Sequence, residues 1–134
     1  MALYFRKGDR WEDYSIEALD ECEASLAPLV AHSERLREKI VLVIHRTRKL
    51  IQDYDKGEDM RSIVYVLQNY NQEIIALLRY RQLNEDEKEC LRTVYDYTKE
   101  IADSFYQNKG HSIPLAKALG FQRTMFSSIV EKYC

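Results

Sequence analysis

Few residues in this chain could carry chemistry, and they are scattered. The candidates are three histidines and three cysteines, at His32, His45, His111, Cys22, Cys90 and Cys134. No two of them have the spacing of a metal-binding pattern such as HExxH or CxxC. We therefore predict that the protein holds no metal and no other cofactor.

Catalytic patterns are equally sparse. The sequence contains no glycine-rich phosphate loop and no GxSxG elbow. Some helical ribonucleases use a compact RxxxxH arrangement, but Arg37 and His45 are eight residues apart. We therefore predict a protein that is not an enzyme and has no small-molecule substrate. A helical ribonuclease remains a third alternative, which an RNA-cleavage assay of His45→Ala would test.

Length and composition favour one soluble domain inside a cell. The chain has 134 residues, with 20 basic and 22 acidic side chains and a net charge of −2. This balance does not point to nucleic acid or an anionic membrane as a partner. No apolar run approaches the roughly 20 residues of a membrane span, and the odd, widely spaced cysteines fit a reducing compartment. We predict an intracellular location, nuclear if the source is eukaryotic.

Hydrophobic periodicity predicts an all-α fold, an antiparallel bundle of four to five helices. In three segments, mostly apolar residues recur at alternating steps of four and three positions, which places them on one face of a helix. These residues are Leu36, Ile40, Val43, Thr47, Leu50 and Tyr54, then Ile63, Leu67, Tyr70, Ile74, Leu77 and Arg81, then Leu91, Val94, Thr98, Ile101 and Phe105. We assign a single helical domain to residues 1–134, with its main bundle at 11–107.

Helix boundaries follow from caps and prolines. Asp13 or Ser15 can cap a first helix that stops near Pro28, and a long helix then runs to Tyr54. A clear break lies at residues 82–84. There Asn84 can accept hydrogen bonds from the first turn of the next helix while Glu87 reaches back to it, as in a capping box.

Tyrosine is unusually frequent, with ten copies. Its large apolar ring and polar tip suit either a half-buried core position or a protein interface, and both interpretations stay open. If the tyrosines form an interface, we predict that they contact a partner protein and that arginines lie at the rim of the contact. The predicted interface residues are Tyr65, Tyr70, Tyr80, Arg79 and Arg81.

The C-terminal segment, residues 112–133, predicts a helical hairpin. Ala116 permits close helix crossing, and Gly120 can form the turn. The four-residue spacing between them is also typical of a helix-turn-helix. In that alternative the protein is a small DNA-binding regulator with a dimeric bundle. The residues facing a major groove would be Gln122, Arg123, Thr124 and Ser127.

Residues 61–70 (RSIVYVLQNY) and 83–87 (LNEDE) resemble the helical A domain of GINS subunits, which belong to a four-subunit DNA replication factor. The resemblance covers roughly residues 15–106. It implies a scaffold within a hetero-oligomer of other protein subunits that joins the replicative helicase. The chain departs from the family pattern because Gln72 and Glu73 stand where basic residues are usual, and because the β-rich B domain is missing.

Overall fold

Five α-helices and one short 3₁₀ turn make up the described structure. The computed structural model describes residues 10–29, 33–53, 61–79, 82–108 and 113–134. The helices are α1 (Trp11–Ala24), α2 (Glu34–Asp53), α3 (Arg61–Leu78), α4 (Glu85–Asn108) and α5 (Ile113–Tyr133), and the 3₁₀ turn is Ala27–Leu29. Within these residues there is no β-strand, so the predicted all-α class is confirmed.

The helices form a ring in the order α1, α2, α3, α5, α4. α1 packs against α2 and α4, α2 against α3, and α5 against both α3 and α4. Trp11 at the start of α1 donates to Ser104 near the end of α4, at 3.0 Å, so these two helices run in opposite directions. The Lys39–Glu73 ion pair, at 2.9 Å, links the first part of α2 to the last part of α3. The predicted helical bundle is therefore confirmed, with the α1–α4 and α2–α3 pairs antiparallel.

The core follows the predicted helical faces most closely on α4. All five predicted residues of that helix, from Leu91 to Phe105, are buried. On α2 the predicted face is likewise buried from Leu36 to Leu50, and Tyr54 lies outside the described residues. Burial of these regular apolar faces is the main source of the bundle's stability.

On α3 the buried face is rotated from the predicted one. Leu67 and Ile74 are buried, but Tyr70 is only partly buried, and Asn71 and Leu78 take core positions instead. The buried positions 67, 71, 74 and 78 also follow four- and three-residue steps, so helical spacing alone does not separate this face from the predicted one. The side chains of Ile63 and Arg81 lie outside the described residues.

Two predicted boundaries near the N-terminus are wrong. α1 begins at Trp11 rather than near Ser15, because the Trp11 ring packs at 5.0 Å from the Phe105 ring and fixes the start of the helix without a side-chain cap. The long helix begins at Glu34 rather than near Pro28. Pro28 lies in the 3₁₀ turn, where its missing N–H removes no helical hydrogen bond.

The predicted C-terminal hairpin, and with it the helix-turn-helix, is also wrong. α5 continues without a break through Gly120. A Cβ atom on Gly120 would lie 2.8 Å from the Tyr106 hydroxyl, which donates to the Ala116 carbonyl at 3.0 Å. Gly120 therefore permits the close approach of a tyrosine from α4, and it does not form a turn.

The predicted capping box at the start of α4 is confirmed. The backbone N–H of Glu87 donates to Asn84 Oδ1 at 2.8 Å, and the Asn84 N–H donates to Glu87 Oε1 at 3.1 Å. The second oxygen of Glu87 accepts from the Ser33 hydroxyl at 2.6 Å. The cap of α4 therefore also fastens the chain just before α2.

Candidate interaction surfaces

The outward face of α3 carries an exposed tyrosine among uncharged side chains. Tyr65 is 65% exposed, the largest exposure of any large hydrophobic residue in the described structure. Residues 62–72 contain no charged side chain, although 31% of the whole chain is charged. We call the set Tyr65, Gln68, Asn69, Gln72 and Ala76, all exposed and within about one third of the helix circumference, the α3 outer face.

The other residues of the predicted interface do not all join this face. Arg79 is exposed just beyond the end of α3 and, 14 positions after Tyr65, lies on the same side of the helix axis. Tyr70 turns inward and packs against the core. Tyr80 and Arg81 lie outside the described residues. The structure thus brings Tyr65 and Arg79 onto one face and separates Tyr70 from them.

Charges border the α3 outer face on the side of α2. Glu73 is exposed and pairs with Lys39 of α2 at 2.9 Å. Both side chains are partly exposed, so this pair contributes little to stability. The pair therefore marks the charged border of the neutral α3 outer face.

Gln122 does not face solvent as a DNA-reading residue would. It is 2% exposed, and its Nε2 donates to the Thr47 hydroxyl of α2 at 2.8 Å. Thr47 in turn donates to the Val43 carbonyl at 2.7 Å. The assignment of Gln122 to a major-groove contact is therefore wrong, because its amide ties α5 to α2 inside the bundle.

The other three residues of the predicted DNA-reading set share one cleft. Arg123, Thr124 and Ser127 line a cavity of about 300 Å³ between α4 and α5. Its remaining walls are Tyr95, Lys99 and Ser128. We call this cavity the α4–α5 cleft. Sequence reasoning missed Tyr95 and Lys99 because they lie on a different helix, and no local pattern marks their approach to α5.

The cations of the α4–α5 cleft share one carboxylate. Arg123 Nη1 bonds to Asp103 Oδ1, and Lys99 Nζ lies 3.5 Å from Asp103 Oδ2. Asp103 itself does not line the cleft. The lining therefore combines two positive charges with four hydroxyl groups and no carboxylate.

Three buried groups, the Cys22 and Cys90 thiols and the Tyr97 hydroxyl, are held in their neutral forms. Burial raises the pKa of the Cys22 thiol to about 12, and it also raises the pKa of Cys90. Burial together with a 3.1 Å hydrogen bond to Glu21 raises the pKa of Tyr97 to about 12. A thiol acts as a nucleophile through its thiolate, so Cys22 and Cys90 are placed for packing.

Two chemistry-bearing residues remain in the described structure. The Cys134 thiol donates to the Lys88 carbonyl at 3.7 Å, and His45 belongs to a surface ion-pair group. Its Nε2 lies 2.6 Å from Glu23 Oε1, while Arg48 bonds to Asp20 at 2.5 Å. These contacts join α1 to α2. Among the described residues, no group of three or more histidine, cysteine or acidic side chains is arranged to hold a metal ion.

No protein family, curated protein or solved structure shows a significant match to this chain. The resemblance to GINS subunits at residues 61–70 and 83–87 stays a prediction. Within the part of the chain that the structure describes, no helix combines the length and apolar character needed to cross a membrane.

Proposed function

We propose that this chain is a non-enzymatic subunit of a multiprotein assembly and that it docks on a partner protein through the α3 outer face. The observation that carries the proposal is Tyr65, which is 65% exposed on a helix with no charge from residue 62 to residue 72. Interface centres are depleted in charge and enriched in tyrosine relative to the rest of a protein surface.

The exposed positions of α4, on another side of the bundle, differ in kind from those of α3. On α4 they include four carboxylates, Glu85, Asp86, Glu89 and Asp96, which is ordinary for a solvated helix. On α3, from residue 65 onward, Glu73 is the single charged residue among the exposed ones. A bundle that needed only solubility would have no reason to keep this one face neutral.

The shape and chemistry of the face favour a helix as its occupant. Tyr65 and Arg79 are 14 residues apart, which is about 21 Å along the axis and therefore suits three to four turns of a partner helix. Gln68, Asn69 and Gln72 offer amide donors and acceptors. We expect the partner helix to present small apolar and neutral polar side chains, with a charge near the Lys39–Glu73 pair.

The resemblance to GINS subunits identifies the first assembly to test, namely a replication factor that scaffolds the replicative helicase. Under this proposal the chain acts by holding subunits together. The confirmed helix start at Asn84 and the helical order are compatible with such a role, and they are equally compatible with other helical scaffolds.

Site-specific photo-crosslinking in the source cell tests the proposal directly. A photoreactive phenylalanine at position 65 should give one discrete adduct with a partner protein. The same group at Gln107, an exposed position of α4, should give none. The proposal is overturned if position 65 gives no adduct or gives the same products as position 107.

Affinity measurements on variants then test whether the α3 outer face is the binding surface. With the crosslinked partner, and with purified GINS subunits as the first candidates, Tyr65→Ala should weaken binding at least tenfold, as expected for a central aromatic contact. Gln72→Glu should also weaken binding because it places a charge in a neutral interface. Gln107→Glu makes the same chemical change on α4 and should leave the affinity unchanged.

A further inference from the structure

The α4–α5 cleft has a lining that is unusual for a surface groove. Four of its six residues carry hydroxyl groups, at Tyr95, Thr124, Ser127 and Ser128, and the other two are Lys99 and Arg123. Its volume of about 300 Å³ is at the small end of the range for ligand sites. None of its residues belongs to α3, so the cleft is separate from the proposed docking face.

From this lining we propose that the α4–α5 cleft binds a small phosphate monoester, such as a sugar phosphate. Arginine presents a planar fork of five N–H donors and lysine presents three, and both match the oxygens of a phosphate group. Asp103 accepts from one nitrogen of each cation. The remaining donors are left for a ligand.

Stabilisation of the fold by ion pairs does not explain why Lys99 and Arg123 both lie in the cleft. The Lys99 and Arg123 side chains are 45% and 39% exposed, and ion pairs at such exposure contribute little to stability. Asp103 instead holds both cations at one wall of the cleft. A phosphate there meets two positive charges against one negative charge, which favours binding of an anion.

The hydroxyl groups define the rest of the ligand. Thr124 and Ser128 are exposed, and Ser127 is half-buried. Hydroxyls can both donate and accept, so they suit a ligand that carries hydroxyls of its own. The cleft has no aliphatic wall, and the Tyr95 ring is its one large apolar surface. A sugar phosphate therefore fits this lining better than an acyl or aromatic phosphate does.

The proposal can be tested by following amide chemical shifts in the full chain. Glucose 6-phosphate should give saturable shifts at Thr124, Ser127 and Ser128, with inorganic phosphate weaker and glucose weaker still. Arg123→Gln should reduce the affinity at least tenfold, and Ser127→Ala should reduce it by a smaller factor without altering charge. Lys117→Gln removes an exposed lysine from the same helix, outside the cleft, and should have no effect.

Several results would overturn the proposal. One is the absence of saturable shifts with either phosphate compound. Another is an equal response to sodium chloride at matched ionic strength, which would mean general screening of charge. If Lys117→Gln lost as much affinity as Arg123→Gln, binding would depend on the overall charge of α5 and not on the cleft. Binding of a phosphopeptide in preference to glucose 6-phosphate would replace the small-molecule ligand by a protein segment.

Discussion

At the scale of single residues, the buried side-chain amide of Asn71 stands out because both of its polar atoms lack hydrogen bonds within the described residues. It is fully buried on α3, and neither its Nδ2 nor its Oδ1 has a hydrogen-bond partner among the described residues. An unsatisfied buried amide costs about 1–3 kcal/mol, whereas an apolar group of the same shape in that place does not. The orphaned amide therefore lowers the stability of the bundle.

Asn71→Leu, which keeps the branched shape and removes the amide, should raise the free energy of unfolding by about 1–3 kcal/mol. Urea unfolding followed by circular dichroism measures the change. Gln122→Leu is the matched control, because that amide donates to Thr47 and its loss should destabilise the protein. If Asn71→Leu destabilises the chain by as much as Gln122→Leu does, the amide has a partner in solution.

Single residues also show where sequence reasoning succeeds and fails. The predicted core residues of α4 are right because a regular apolar repeat determines burial locally. Gln122 is misassigned because its partner Thr47 lies 75 residues away in the sequence. The α4–α5 cleft is not predicted, although Arg123, Thr124 and Ser127 stand in the predicted DNA-reading set, because Lys99 and Arg123 line one cleft only through the packing of two helices.

At the scale of the helices, the start of α4 depends on one short motif. Asn84 Oδ1 accepts from the Glu87 N–H, and Glu87 binds both Asn84 and Ser33. The two hydrogen bonds between Asn84 and Glu87 lie within four residues, which explains why the sequence alone predicts them, whereas the contact with Ser33, 54 residues away, is not predicted. The hairpin prediction fails at Gly120 because the reason for that glycine is a tyrosine on another helix.

Asn84→Ala should lower the free energy of unfolding by about 0.5–2 kcal/mol, the usual effect of removing an N-cap. Denaturant unfolding compares it with Asn69→Ala, the same substitution at an exposed position within α3. Asn69→Ala should be neutral or slightly stabilising, because alanine has the higher helix propensity. Equal effects of the two substitutions would show that the cap contributes nothing.

At the scale of the whole molecule, the buried neutral acids make the fold sensitive to alkali. The pKa of Cys22 rises from 9.0 to about 12, and that of Tyr97 rises from 10.0 to about 12. Between pH 9 and pH 12 the unfolded chain therefore loses protons that the folded chain keeps. Stability is fully present below pH 9 and falls as the pH rises toward 12.

We expect the free energy of unfolding to fall by a few kcal/mol between pH 9 and pH 11, since each pKa unit corresponds to about 1.4 kcal/mol. Urea unfolding at a series of pH values measures this slope. Tyr97→Phe should make the free energy of unfolding depend less on pH above pH 10. Cys22→Ala should reduce the dependence that begins near pH 9. Slopes identical to that of the unmodified chain in both variants would contradict the assignment.

The position of α5 in the ring has a consequence for synthesis. α3 and α4 are consecutive in the sequence, yet α5 packs against both of them. While the ribosome is still making α5, the first four helices lack the buried side chains of Leu115 and Phe126, so the core of the bundle is incomplete. Closure of the five-helix bundle therefore waits for α5, and apolar surface that stays exposed until then is prone to aggregate.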